Sequence, residues 1–156
     1  MQSLIDNGVK PNSNVYAELG TTWRYLMRDP TEAAHALGKL FRYVGENNVL
    51  WGTDSIWYGS PQDQIQAFRS FQIAPELQEK HGYPVITPEL RAKVFGLNAM
   101  KPYQLDAQEL RRYTATDAIS RSKAVYDERP DPSFATYGPR TRREFGNLLK
   151  LAGGQP

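Results

Sequence analysis

Asp54 stands in the stretch VLWGTDSIWYGSP, residues 49–61, where three apolar residues and a Gly-Thr pair lead into a carboxylate. Val49, Leu50 and Trp51 read as the end of a buried strand, with Trp57 and Tyr58 just beyond the acid. A carboxylate at the mouth of an apolar strand raises the question of a metal site, because a hard oxygen donor suits a divalent ion. Gly-Thr-Asp-Ser is also good turn and helix-capping chemistry, so a purely structural Asp54 is the competing reading. Glu18, late in an earlier apolar stretch, carries the same ambiguity: it can face a site and bind substrate, or cap a neighbouring element. Trp23, Trp57 and Tyr58 all follow strand ends. They either line an apolar pocket for an aromatic or unsaturated acid or pack beneath the C-terminal tail.

The other reactive side chains are few. The chain has 156 residues, two histidines and no cysteine, which excludes disulfides and thiolate metal sites. His35 shares a helical face with Lys39 and Arg42 and reads as a solvated surface residue, while His81 in EKHGYP falls in a loop. Asn98 in GLNA is expected to satisfy backbone groups at a helix junction. Arg140, Arg142 and Arg143 form a basic run that could grip a carboxylate or phosphate, although a solvated charged face is the simpler reading. A net charge of +2 with 23% charged residues gives no reason to expect nucleic acid or membrane as a partner. No stretch approaches the ~18 consecutive apolar residues of a membrane span, so a cytoplasmic location is expected.

The elements that must position these residues are written mainly in helix starts. DPTEAAHALGKLFRYVG opens with Asp29 as N-cap, Pro30 at the first helical position and Glu32 reaching back as in a capping box. Its buried stripe is predicted to be Ala33, Leu37, Leu40, Phe41 and Val44, with Gly45 ending the helix. SPQDQIQAFRSF repeats the device with Ser60 as cap, Pro61 as first residue and Ile65, Phe68 and Phe71 buried. TPELRAKVFGLNAM does so again from Thr87, burying Leu90, Val94 and Phe95. Strands are expected at Asn14–Leu19 and Asn48–Trp51, and the mostly helical stretch between them implies parallel pairing through a right-handed crossover. Beyond Leu105 the pattern weakens to one helix near Asp106–Arg112, a Pro-rich charged connector and a short helix over Arg142–Leu151. Residues 1–105 are thus read as the body and residues 106–156 as a tail lying over it. Two parallel strands leave two open edges, so the chain reads as a piece of something larger.

NVYAELG, NNVLWGTDS and VFGLNAMKPYQL, at their spacing here, together resemble the last two strands and closing helix of the amidohydrolase-related metal-dependent hydrolases. That TIM-barrel family includes aminocarboxymuconate-semialdehyde decarboxylase, and the resemblance spans roughly Asn14 to Leu105. YGPRTRREF also looks like tails of some members. The resemblance implies an α/β fold made of the C-terminal βα units of a (β/α)8 barrel plus a tail. It implies that Asp54 binds a divalent metal, zinc foremost, and exchanges a proton with the metal-bound water. The reaction would be metal-assisted hydrolysis of a small molecule, or non-oxidative decarboxylation. The family's other ligands, a His-x-His pair and further histidines, come from strands that are not in this sequence. The isolated chain is therefore expected to be inactive and to bind zinc weakly, requiring the remainder of the barrel or an oligomeric partner. The alternative is a non-catalytic interaction piece that associates with a complementary chain.

Overall fold

The computed structural model describes residues 1–58, 61–131, 133, 138–139, 141–151 and 153. Among them the chain is mostly helical, with two short strands, β1 (Ala17–Glu18) and β2 (Val49–Leu50). The strands pair in parallel, Ala17 opposite Val49 and Glu18 opposite Leu50, so the expected parallel pairing through a helical crossover is present. Both are shorter than the sequence suggests, and the reason is a side chain. Nδ2 of Asn48 donates to the carbonyls of Ser13 and Val15, both at 2.8 Å, taking over the backbone groups that would have extended β1. The buried Asn98 serves β2 in the same way, donating to Glu46 O at 2.7 Å and Val49 O at 2.8 Å. It satisfies backbone groups as expected, at the strand entry rather than at a helix junction.

Before the sheet lies α1 (Gln2–Asp6); between the strands lie α2 (Gly20–Leu26) and α3 (Pro30–Leu40). Asp29 caps α3 by accepting from the amides of Thr31 and Glu32 at 3.0 and 3.1 Å. The capping box is half made, because the Asp29 amide donates to Leu26 O instead of to Glu32. α3 runs on through a π-helical turn, Phe41–Gly45. Gly45 ends it at φ +104°, where a Cβ would fall 2.3 Å from Asn12 Oδ1, so only glycine lets the N-terminal loop close over the helix end.

After β2 come α4 (Ser55–Tyr58), α5 (Gln62–Ser70), α6 (Pro75–His81) and α7 (Pro88–Phe95). Thr87 caps α7 through Leu90 N at 3.2 Å. The predicted cap of α5, Ser60, lies outside the described residues; Pro61 occupies the N-cap position with no side-chain bond, and the helix begins at Gln62. Its buried face is Gln64, Ala67 and Phe68, whereas Ile65 is only half-buried. The Arg91 guanidinium fastens α7 to α5 by donating to the carbonyls of Phe68, Phe71 and Ile86.

One hydrophobic core joins these elements. Leu19, Trp23, Leu37, Phe41, Val49, Phe68, Ile86, Leu90 and Val94 are all buried in it, and each large side chain contributes about 1.5–3 kcal/mol by leaving water. Trp51, Phe68 and Phe95 form an aromatic triangle with centroids 4.7–5.2 Å apart. Beyond it lie α8 (Ala107–Thr116), α9 (Ala118–Glu128) and α10 (Arg142–Leu151). α10 packs on the body through Phe145. α8 and α9 bury no residue.

Candidate functional site at the strand ends

β1 and β2 point the same way, so their carboxyl ends bring Glu18 and Asp54 to one place. Asp54 adopts φ +49°, a left-handed conformation that aspartate tolerates better than most residues. That turn aims its carboxylate back at α2. Oδ2 accepts from the Thr21 amide at 2.7 Å and from the Thr21 hydroxyl. The residue at the N-cap position of α2, Leu19, makes no side-chain cap, and Asp54 caps that helix from 33 positions away and gains from its N-terminal partial charge. Glu18 Oε1 accepts from the Gly20 amide at 2.9 Å. Both readings of these acids as caps are therefore realised.

Two glycines make room for the pair. A Cβ on Gly52 would sit 1.2 Å from Glu18 Oε1, and one on Gly20 would sit 2.6 Å from Glu18 Oε2 and 2.9 Å from Asp54 Oδ2. Both carboxylates thus converge on the backbone of Gly20. Partial burial desolvates the Glu18 carboxyl and pushes its pKa above the ordinary value. The Gly20 amide opposes that shift, and the neighbouring Asp54 charge adds to it. Converging carboxylates of this kind can share a proton or offer hard oxygens to a divalent cation. As a metal site they are half a donor set: no group of three or more His, Cys, Asp or Glu among the described residues could hold an ion.

The other predicted site residues divide. Trp23 is 1% exposed, its indole N–H donating to Gln64 O at 3.0 Å and its ring edge-on to Phe68 and Phe71. It is a core residue that also walls a cleft under α10. Trp57 is 78% exposed beside the equally open Ile56. Tyr58 ends α4, but its side chain lies outside the described residues. So does Arg140; Arg142 and Arg143 are exposed.

The histidines require a correction. His35 is not freely solvated and His81 is not in a loop: the first is half-buried on α3, and the second is the last residue of α6. Their rings meet edge-on at 5.1 Å, and His35 Nδ1 lies 3.2 Å from the hydroxyl of the buried Tyr83. Tyr83 in turn stacks on His81 and covers Gly38. Desolvation, then the charges of His35, Lys80, Lys39 and Arg42, hold the His81 pKa below the ordinary histidine value. A cationic setting of this kind disfavours a metal ion.

Gln64 was not anticipated. It is fully buried on α5, and its Nε2 holds the Thr53 carbonyl at 2.9 Å, steadying the residue before Asp54. Its polar character inside an apolar stripe is the one signal that could have revealed it. Comparisons with protein-family models, curated proteins and solved structures found no match for the chain.

Proposed function

We propose that this chain is the C-terminal portion of a metal-dependent hydrolase of the amidohydrolase-related type, contributing the last βα units of a TIM barrel. The observation that carries the reading is the convergence of Glu18 and Asp54 at the carboxyl ends of two parallel, helix-linked strands. Active sites of parallel α/β proteins are built at that end. Asp54 would contribute a metal ligand and proton acceptor, and Glu18, which stays protonated to higher pH, would address the substrate. The histidine ligands, and the strands that cover the two open edges, would come from outside these residues. The metal would be zinc, the substrate a small aromatic or unsaturated acid, and the compartment the cytoplasm; among the described residues no helix is long and apolar enough to cross a membrane.

The competing reading, a non-catalytic piece that docks on a complementary chain, draws on the cap that Asp54 forms with Thr21 and on the half-complete donor set. One experiment separates the two. Asp54→Asn is placed in the longest in-frame product that carries this chain, and turnover is measured with zinc in excess. Asparagine keeps the turn and can still accept from Thr21, but it is a poor ligand and no base. A loss of ~10² or more, about 3 kcal/mol of transition-state stabilisation, with unchanged circular dichroism supports the hydrolase. A folded Asp54→Asn protein with full turnover removes Asp54 from the chemistry. A native product that starts at Met1 and hydrolyses nothing transfers the case to the docking piece.

A further inference from the structure

A second place in the molecule combines a cavity with two guanidinium groups that have no ion-pair partner among the described residues, and it is independent of the strand-end pair. The cleft between α2, α5 and α10 has a volume of about 580 Å³, within the ~300–1,000 Å³ span of small-molecule sites. Its walls are mostly apolar and include three aromatic rings, Trp23, Phe71 and Phe145. The Trp23 N–H is already bonded to Gln64 O, so that ring offers the cleft only its hydrocarbon.

Three charged side chains open onto the same space: Arg28, Arg142 and Asp63. The Asp63 carboxylate is engaged by Arg24 at 3.5 Å. Neither Arg28 nor Arg142 has a carboxylate within ion-pair reach among the described residues. The cleft is thus an apolar slot with an excess of guanidinium at its rim. Guanidinium is the group best shaped to take a carboxylate through two parallel N–H bonds. A neutral apolar ligand would use neither exposed guanidinium, and a polyanion would waste the apolar walls.

We propose that this cleft binds a small monocarboxylate with an aromatic body, an arylalkanoate, ring inward and carboxylate on Arg28 and Arg142. Gly146 supplies the means to test it. It lines the cleft from α10, and a Cβ there would meet nothing within 4 Å. A phenylalanine at that position fills the slot, and it suits a helix better than glycine does.

The test is calorimetric titration of the intact chain with 4-phenylbutyrate and, as a neutral control, 4-phenylbutanol. The acid is expected to bind saturably at one site and the alcohol about ten-fold more weakly. Gly146→Phe should abolish binding of the acid with circular dichroism unchanged. Because a variant in the wall can disturb packing, Arg28→Gln with Arg142→Gln serves as the second arm, weakening the acid about ten-fold and sparing the alcohol. The proposal is overturned if the acid shows no saturation up to about 1 mM, if folded Gly146→Phe binds as the parent does, or if the alcohol binds as tightly as the acid.

Discussion

Helices α3 and α9 are both eleven residues long, and both start from an aspartate that accepts backbone amides of the first turn. Asp29 holds Thr31 and Glu32; Asp117 holds Ser120. There the likeness ends. α3 buries Ala33, Ala34, Leu37 and Gly38 against the sheet and its neighbours, whereas α9 buries nothing, and its Ile119 and Val125 stand 76% and 68% exposed. A cap decides where a helix begins, but in a short helix the buried stripe supplies most of the stability. The same distinction separates the whole body from the α8–α9 pair.

The sharpest way to break that comparison is to remove apolar side chains from each helix. Leu37→Ala should cost about 2–5 kcal/mol, because Leu37 is fully buried and the surrounding core can collapse only in part. Ile119→Ala should stay within about 0.5 kcal/mol. Urea unfolding followed by tryptophan emission reads both, since the core tryptophans report the body. Equal losses would mean that α9 is packed against something in solution and that the comparison is false.

Removing the caps should give a smaller contrast. Asp29→Ala, and likewise Thr87→Ala on α7, should each lower body stability by about 1 kcal/mol by stranding first-turn amides. Asp117→Ala should leave the tryptophan midpoint where it is and reduce only far-ultraviolet helicity. A midpoint shift in Asp117→Ala as large as that in Asp29→Ala would show that α9 unfolds with the body.

These contrasts also explain which parts of the molecule were legible in advance. Asp29-Pro30 and Thr87-Pro88 are local signals, and the helices they announce are where they should be, as is the parallel pair. α2 was not legible because Gly20, Thr21 and Thr22 are weak helix formers and the cap on Thr21 is Asp54, far along the chain. α6 has Pro75 at its first position but only Ala74 before it, so nothing polar marks its start. The histidine cluster was missed because Tyr83, 48 positions from His35, lies over a face that Lys39 and Arg42 make look solvated. At the candidate site, the position of Asp54 could be read from the apolar run before it. Its partner Glu18, and the glycines that let the two carboxylates converge, depend on strand register, which no local pattern specifies.

The smallest contrast is in pH response, where body and tail should move in opposite directions. Glu18 has a folded pKa raised above its ordinary 4.5 by desolvation and by Asp54. Its contribution to stability is full below 4.5 and is lost as pH rises through the raised value, because the native state must then hold two carboxylates together. Asp117 is the reverse. Bonds from the Ser120 amide and side chain hold its pKa below 3.8, so its contribution is present above 3.8 and is lost as pH falls through the lowered value. Acidification from neutral pH towards 4.5 should therefore favour the body through Glu18 while α9 keeps its cap; further acidification should fray α9. Amide hydrogen exchange can follow both, with Leu19 and Leu50 reporting the sheet and Ser120 and Arg121 reporting α9. Glu18→Gln keeps the acceptor for the Gly20 amide and removes the titration, so the sheet amides of that variant should lose the protection change between neutral pH and 4.5. If wild-type and Glu18→Gln sheet amides respond identically, Glu18 is not held against Asp54 as the strand ends imply. If Ser120 loses protection before the sheet amides gain theirs, the two titrations are not ordered by their surroundings.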